Sequence, residues 1–287
     1  MKNTTKSLLE RKARGEKVSM LTAYDYTTAR IVDEAGLDMV LVGDSLGMTM
    51  EGYDNTIPVT TEEMIVYGRS VARACSHALV VMDMPFMSYQ ISPQQALESA
   101  GKIMKETMAD CVKLEGGKDV CPQIRAITAA GIPVCAHIGM TPQSVHAMGG
   151  FKVQGRGEEN ARRIFEDALA VQEAGAFAVV LECVPPKLAG LITETLRILT
   201  IGIGAGPDCD GQVLVYQDML GMTQGHTPKF VRKFAEIGQD MKAAFSEYDR
   251  AVKEKQFPLQ EHAFVKSDSS DDFYRQLKQD QEGEGKR

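Results

Sequence analysis

Seven polar residues stand in or just after short apolar runs. Asp44 and Ser45 follow Met39–Val42 across Gly43, and Asp83 follows Leu79–Met82. Lys113 and Glu115 lie two apart at Cys111–Leu114, His137 follows Pro133–Ala136, and Glu182 follows Ala176–Leu181. Asp44, Asp83 and Glu115 are hard oxygen donors. Such a set suits Mg²⁺, which keeps several waters and takes only one or two direct carboxylates. No soft ligand set competes for zinc. Taken alone, Asp44 reads equally well as a helix N-cap. Lys113, near acids, keeps its charge, because negative neighbours favour the ammonium. That points to anion binding rather than imine chemistry, with a plain ion pair to Glu115 or Asp83 as the structural alternative. Glu182, after "AFAVVL", is in apolar company that disfavours its ionised form, which makes it a candidate general base. His137 either donates a hydrogen bond to a substrate oxygen or is a satisfied core histidine.

These residues need elements to carry them. The runs are Val18–Tyr24, Met39–Val42, Leu79–Met82, Cys111–Leu114, Pro133–Ala136, Ala176–Leu181, Leu199–Ile203 and Val213–Tyr216. They are rich in Val, Ile, Leu and Met and do not alternate with polar residues, as expected of parallel strands covered on both faces. Helical stretches separate them. Thr60 to Glu63 reads as a capping box, and Ser92-Pro93 as a second start. "EAGLD", "AAGIP" and "EAGAF" each stop a helix on a glycine, Gly36, Gly131 and Gly175, before a strand begins. Eight alternating units predict an α/β fold closed as a (β/α)8 TIM barrel, with an open doubly wound sheet as the alternative. In such a barrel chemistry lies at the C-terminal strand ends, where the polar residues fall. The glycine-rich "GIGAGPDCDG", Gly202 to Gly211, lacks the Gly-Lys-Ser/Thr ending of a P-loop. It suits close approach of backbone to a ligand.

Residues 1–264 are expected to form one barrel domain. It has a charged helical lead-in over Met1–Lys17 and an amphipathic helix over Pro228–Lys255, with Phe230, Phe234, Ile237, Met241 and Phe245 on one side. Residues 265–287 read as a polar, disordered tail. The 287 residues are 44% hydrophobic and 25% charged, in the range of soluble globular proteins. A net charge of −7, with no basic cluster, argues against a nucleic-acid partner. No apolar run approaches the ~18 residues of a membrane helix, and Met1–Gly15 lacks the apolar core of a signal peptide. A cytoplasmic location with six reduced cysteines is expected.

Longer stretches carry a resemblance: "MLTAYDYTTARIVDEAG", "VGDSLGMTMEGYDNTIPVT", "VVMDMPFMSY", "VKLEGG", "HIGMTPQSVHAMGGFKVQGR", "VLECVP" and "GIGAGPDCDGQVLVYQDMLG". In order and spacing, residues 3 to 264 resemble the ketopantoate hydroxymethyltransferase family. The resemblance implies a barrel of the phosphoenolpyruvate/pyruvate-binding type and a ring-like homodecamer. It implies Asp44 and Asp83 as metal ligands that also contact substrate, and Glu115 as a metal-associated acid acting through water. Ser45 and Lys113 become substrate contacts, Glu182 the catalytic base and His137 a site histidine. Ala136 departs from the pattern, standing where the family more often has glycine.

The implied reaction carries a hydroxymethyl group from 5,10-methylenetetrahydrofolate to 3-methyl-2-oxobutanoate, giving 2-dehydropantoate, with Mg²⁺ as the cofactor. Three other readings remain open on the residues alone. One is a lyase or aldolase with Lys113 as Schiff base, another a Mg²⁺-dependent 2-oxoacid lyase or mutase without folate. The third is a non-enzymatic scaffold, which leaves the strand-end polar groups unexplained.

Overall fold

The computed structural model describes residues 2–150, 152–223, 225, 227–264 and 269–284. Eight strands, β1 (Val18–Thr22), β2 (Met39–Val42), β3 (Leu79–Asp83), β4 (Cys111–Glu115), β5 (Val134–Gly139), β6 (Ala178–Glu182), β7 (Leu199–Ile203) and β8 (Gly211–Leu214), close in sequence order into a barrel. Every neighbouring pair is parallel, including β8 on β1. The barrel is the one the alternating runs predict. Helix α1 (Thr5–Ala13) precedes it, and α2 (Tyr26–Glu34) follows β1. After β2 come the short α3 (Leu46–Thr49) and α4 (Thr61–Ala74), then α5 (Pro93–Thr107) after β3 and α6 (Cys121–Ala129) after β4. The short α7 (Val145–Met148) and α8 (Glu158–Glu173) follow β5, and α9 (Pro186–Thr195) follows β6. Residues 204–210, between β7 and β8, form no helix, and α10 (Tyr216–Met219) follows β8.

The start signals act as expected. Thr60 and Glu63 complete a capping box on α4, and Ser92 accepts a bond from Gln95 N with Pro93 opening α5. Two strand limits differ from expectation in ways that matter. β5 runs on to Gly139, so His137 lies inside a strand rather than after it. β8 begins at Gly211, not Val213, and Tyr216 opens α10. Gly-Gln reads as poor strand sequence, but closure pairs Gly211 with Val18, where a Cβ would stand 2.5 Å from the Val18 carbonyl oxygen. Only glycine fits the seam.

Inward positions recur at every second residue. Toward the N-terminal strand ends they are apolar: Val18, Met20, Met39, Leu41, Leu79, Val81, Cys111, Cys135, Val180, Leu199 and Ile201 share one buried cluster with Leu8 of α1. The lead-in is therefore a plug. Three cations of this segment meet three aspartates that each stand just before a strand. Lys2 pairs with Asp110 at 2.8 Å, Lys12 with Asp210 at 2.6 Å, and Arg11 with Asp38. Each aspartate also accepts a neighbouring strand's N–H: Asp38 from Ser19, Asp110 from Val80 and Asp210 from Thr200. Leu8 is fully buried, so Leu8→Ala should cost about 3 kcal/mol, against less than about 1.5 kcal/mol for Leu8→Met. Urea unfolding reads both, and an unchanged midpoint in Leu8→Ala would remove α1 from the core.

The chain divides into two compact units, Met1–Ala235 and Glu236–Arg287, where the sequence reading carried one domain to residue 264. In the second unit, α11 (Ile237–Lys253) starts later than the helix expected from Pro228. Phe230 and Phe234 lie before it, and Phe234 N donates instead to Met219 O within the first unit. The disorder expected over 265–287 gives way to a helix, α12 (Asp271–Glu284). Ser270 accepts a bond from Phe273 N, and Asp271 and Asp272 sit in the first turn, where the helix dipole favours acids. Residues 265–268 and 285–287 lie outside the described residues. All six cysteines are free, and five are buried. Among the described residues no helix is long and apolar enough to cross a membrane.

Candidate functional site

The inward alternation changes character at the C-terminal strand ends. Above Val81, Cys111, Cys135 and Val180, the same faces carry Asp83, Lys113, Glu115, His137 and Glu182. Register keeps them level: Asp83 pairs with Lys113, Glu115 with His137, and Gly139 with Glu182. All five side chains line one cavity of about 530 Å³, together with Asp44, Ser45 and Thr22. The seven residues singled out by type and spacing are thus brought together at one mouth.

Asp44 is not a helix cap. It is buried, its Oδ2 accepts a 2.8 Å bond from Gln143 Nε2, and the residue at the start of α3 is Ser45. Asp83 Oδ2 accepts from Asp44 N at 3.2 Å, while its Oδ1 lies 2.5 Å from Lys113 Nζ. Lys113 Nζ is 3.3 Å from His137 Nδ1, which stands 3.3 Å from Glu115 Oε1. On the other side of the ring, His137 Nε2 lies 3.3 Å from Glu182 Oε2 without forming a hydrogen bond. Glu182 is the only one of these acids with appreciable exposure, 15% of its side chain. Its nearest charged neighbour is an imidazole, not the apolar wall expected from "AFAVVL". Gly139 makes this arrangement possible, since a Cβ there would fall 2.2 Å from the Glu182 carbonyl oxygen.

Burial dominates the electrostatics. It pushes Asp44 well above the usual carboxylate range, and the charges of Asp83 and Glu115 push the same way against Lys113 and Gln143. Burial also raises Asp83, although Lys113 offsets part of it. For Lys113 burial favours the neutral amine, but Asp83, Glu115 and Asp44 together prevail and hold the ammonium. That opposes a Schiff-base role, which needs the free amine. Burial and Lys113 pull the His137 imidazole down, yet the adjacent carboxylates of Glu115 and Glu182 prevail and raise it to about 9.

The donor set fits a hard cation. Asp44, Asp83 and Glu115 are buried together, and burial and the neighbouring negative charge raise the proton affinity of Asp44 and Asp83. The single ammonium of Lys113 at Asp83 Oδ1 leaves the cluster net negative, which a cation relieves. Among the described residues no three acid, histidine or cysteine side chains converge enough to hold a metal alone. A Mg²⁺ site completed by water and substrate has that character.

Sequence reading passed over the residues that hold these groups. Gln143 donates through Nε2 to Asp44 and to Met84 O at 2.9 Å, and its N–H donates to Glu115 Oε2 at 3.0 Å. Tyr89 OH donates to Gln143 Oε1 at 2.7 Å and accepts from Glu115 N at 3.1 Å. Tyr24 OH meets Ser45 Oγ at 2.8 Å. Gln143 stands in "TPQS", where nothing local marks it. Only its burial and full set of partners expose its role.

A family model described as ketopantoate hydroxymethyltransferase matches residues 2–260. A 3-methyl-2-oxobutanoate hydroxymethyltransferase of Clostridium novyi is 57% identical over 264 residues, covering 92% of this chain and 96% of its own. One of Enterococcus faecalis is 57% identical over 268 residues, covering 93% and 98%. Solved structures similar in fold include a phosphoenolpyruvate phosphomutase of Streptomyces platensis, with TM-score 0.58, 14% identity and 99% coverage of both chains. A 2,3-dimethylmalate lyase matches with TM-score 0.58, 15% identity and 92% coverage of both.

Proposed function

The chain belongs to the ketopantoate hydroxymethyltransferase family, and from that premise we propose that it transfers a hydroxymethyl group from 5,10-methylenetetrahydrofolate to 3-methyl-2-oxobutanoate, yielding 2-dehydropantoate. The observation that carries this reading is the division of charge within one cavity. Asp44, Asp83 and Glu115 are buried, whereas Glu182 lies across His137 with part of its side chain open to the cavity.

Asp44 and Asp83 would hold Mg²⁺ directly, with Glu115 acting through water. Bound there, the ion supplies Lewis-acid stabilisation of charge on the keto oxygen of the oxoacid. Lys113 and Ser45 bind the carboxylate, Lys113 as a retained cation and Ser45 as a hydroxyl oriented by Tyr24. His137 donates to a substrate oxygen and stands beside Glu182, 3.3 Å from its Oε2. Glu182 takes the single proton of the branched carbon. That carbon forms its new bond to the one-carbon unit, and water completes the hydroxymethyl group as tetrahydrofolate leaves. Closure of the barrel floor by Leu8 and its cluster leaves the mouth as the route for substrates.

The homodecamer and cytoplasmic location implied by the resemblance belong to the same reading, and light scattering of the purified chain reads the assembly. The direct test is product formation from the two substrates. Activity should require folate and Mg²⁺ and fall to background with EDTA. Turnover of the oxoacid without folate would favour a lyase or mutase, and EDTA-insensitive activity with borohydride trapping on Lys113 would favour the imine.

A further inference from the structure

A second cavity, of about 760 Å³, adjoins the first. The two share Val153, Cys183, Lys229 and Phe230 as wall. Cys183 directly follows the proposed base, so the second cavity opens beside the atoms that react.

Its position follows from a gap in the alternation. The connections after β1 to β6 all carry helices, but residues 204–210 between β7 and β8 do not. The β7–β8 connection therefore adds no helix to the outside of the barrel there. The cavity runs along this stretch, from Cys183 and Gly204 just past the ends of β6 and β7 to Lys17 and Gly211 at the starts of β1 and β8. At ~3.3 Å per strand residue the wall is roughly 15 Å tall. The space is therefore elongated.

Its charge is opposite to that of the inner cavity. The lining of the first cavity carries five acids, Asp44, Asp83, Glu115, Glu182 and Asp218, against three lysines, Lys113, Lys152 and Lys229. Among the described residues lining the second, none is acidic, and Lys17 and Lys229 are cationic. Lys17 Nζ donates to main-chain carbonyls, 2.6 Å to Cys209 O and 3.4 Å to Asp208 O. Among the described residues no carboxylate pairs with it. On a chain of net charge −7 this is an unusual place for an anion to be welcome. At the mouth end Phe230 offers an aromatic ring, and Gly204 lets the loop pass close beneath it. A Cβ on Gly204 would stand 2.9 Å from Phe230 Cδ1.

We propose that this trough is the folate subsite, with the reduced pterin against Phe230 at the mouth and the glutamate tail directed to Lys17. The assignment rests on the folate-dependent reading above and adds the residues and orientation. A flat ring system with an anionic tail matches an elongated, acid-free cavity with the Phe230 ring and Lys229 at one end and Lys17 at the other. The orientation sets the one-carbon unit beside Glu182. It also gives the glycine-rich Gly202–Gly211 turn a use: a ligand lies along its backbone.

The test compares two co-substrates, 5,10-methylenetetrahydrofolate and 5,10-methylenetetrahydropteroate, which lacks the glutamate. Lys17→Glu should raise the KM for the folate about tenfold, the size of one charge-assisted hydrogen bond, and leave that for the pteroate unchanged. Lys17→Arg should keep the wild-type preference. Deuterium exchange into 3-methyl-2-oxobutanoate, run without folate, reports the inner cavity alone and should match wild type in both variants. Equal effects on the two co-substrates, no effect on either, or loss of exchange in Lys17→Glu would each overturn the assignment. Wild-type enzyme that exchanges deuterium but transfers nothing from either co-substrate would instead defeat the folate reading itself.

Discussion

Glu182→Gln removes deuterium exchange at the branched carbon of 3-methyl-2-oxobutanoate and leaves the oxoacid and Mg²⁺ bound. General-base catalysis contributes about 10²–10⁴-fold, so exchange should fall by at least the lower figure. The substitution keeps the side chain's size and its neighbour His137, 3.3 Å away. It removes only the ability to take a proton. Asp44, Asp83, Lys113 and Glu115 are untouched, which is why binding survives. NMR of the oxoacid in D₂O reads the exchange, and calorimetry reads binding. Exchange at the wild-type rate would show that another group is the base.

Asp44→Ala has a different signature. Mg²⁺-dependent binding of the oxoacid should weaken by at least ~100-fold, since even residues that merely support a ligand are worth 10–100-fold. The folded chain should not become less stable. Asp44 is buried among Asp83 and Glu115, which with burial raise its proton affinity. Removing it relieves that repulsion, at the cost of one 2.8 Å bond from Gln143. Function and stability then move in opposite directions, as expected where a site holds unfavourable charge for a ligand's sake. Oxoacid affinity that is unchanged in a Mg²⁺ titration would refute the ligand role, and a large drop in melting temperature would make Asp44 a structural residue.

Much of this site was legible in the sequence because parallel barrel strands leave a simple trace. Buried runs ending in Asp83, Glu115 and Glu182 place each acid on an inward face, and strand order makes them neighbours. The reading failed where tertiary contacts override local pattern. Gly211-Gln212 looks like a turn, yet closure on Val18 makes it strand. Gln143 has no periodic or motif signal, because its role is defined by Asp44 and Glu115, distant in sequence. The 265–287 stretch, read as disordered, differs for another reason: it holds α12 at Asp271–Glu284. Its polarity resembles disorder, while Ser270-Asp271-Asp272 is a helix start that a compositional reading overlooks.

The plug under the barrel also orders events in time. Lys12 and its partner Asp210 are 198 residues apart. At about 5–20 residues per second of synthesis, α1 leaves the ribosome roughly 10–40 s before the aspartate that anchors it. Leu8 has no complete pocket until β8 has joined β1. Helix α1, made well before β8, is therefore among the last elements of the barrel to settle. Nascent chains stalled short of Asp210 would carry an open barrel floor, the apolar surface that chaperones recognise.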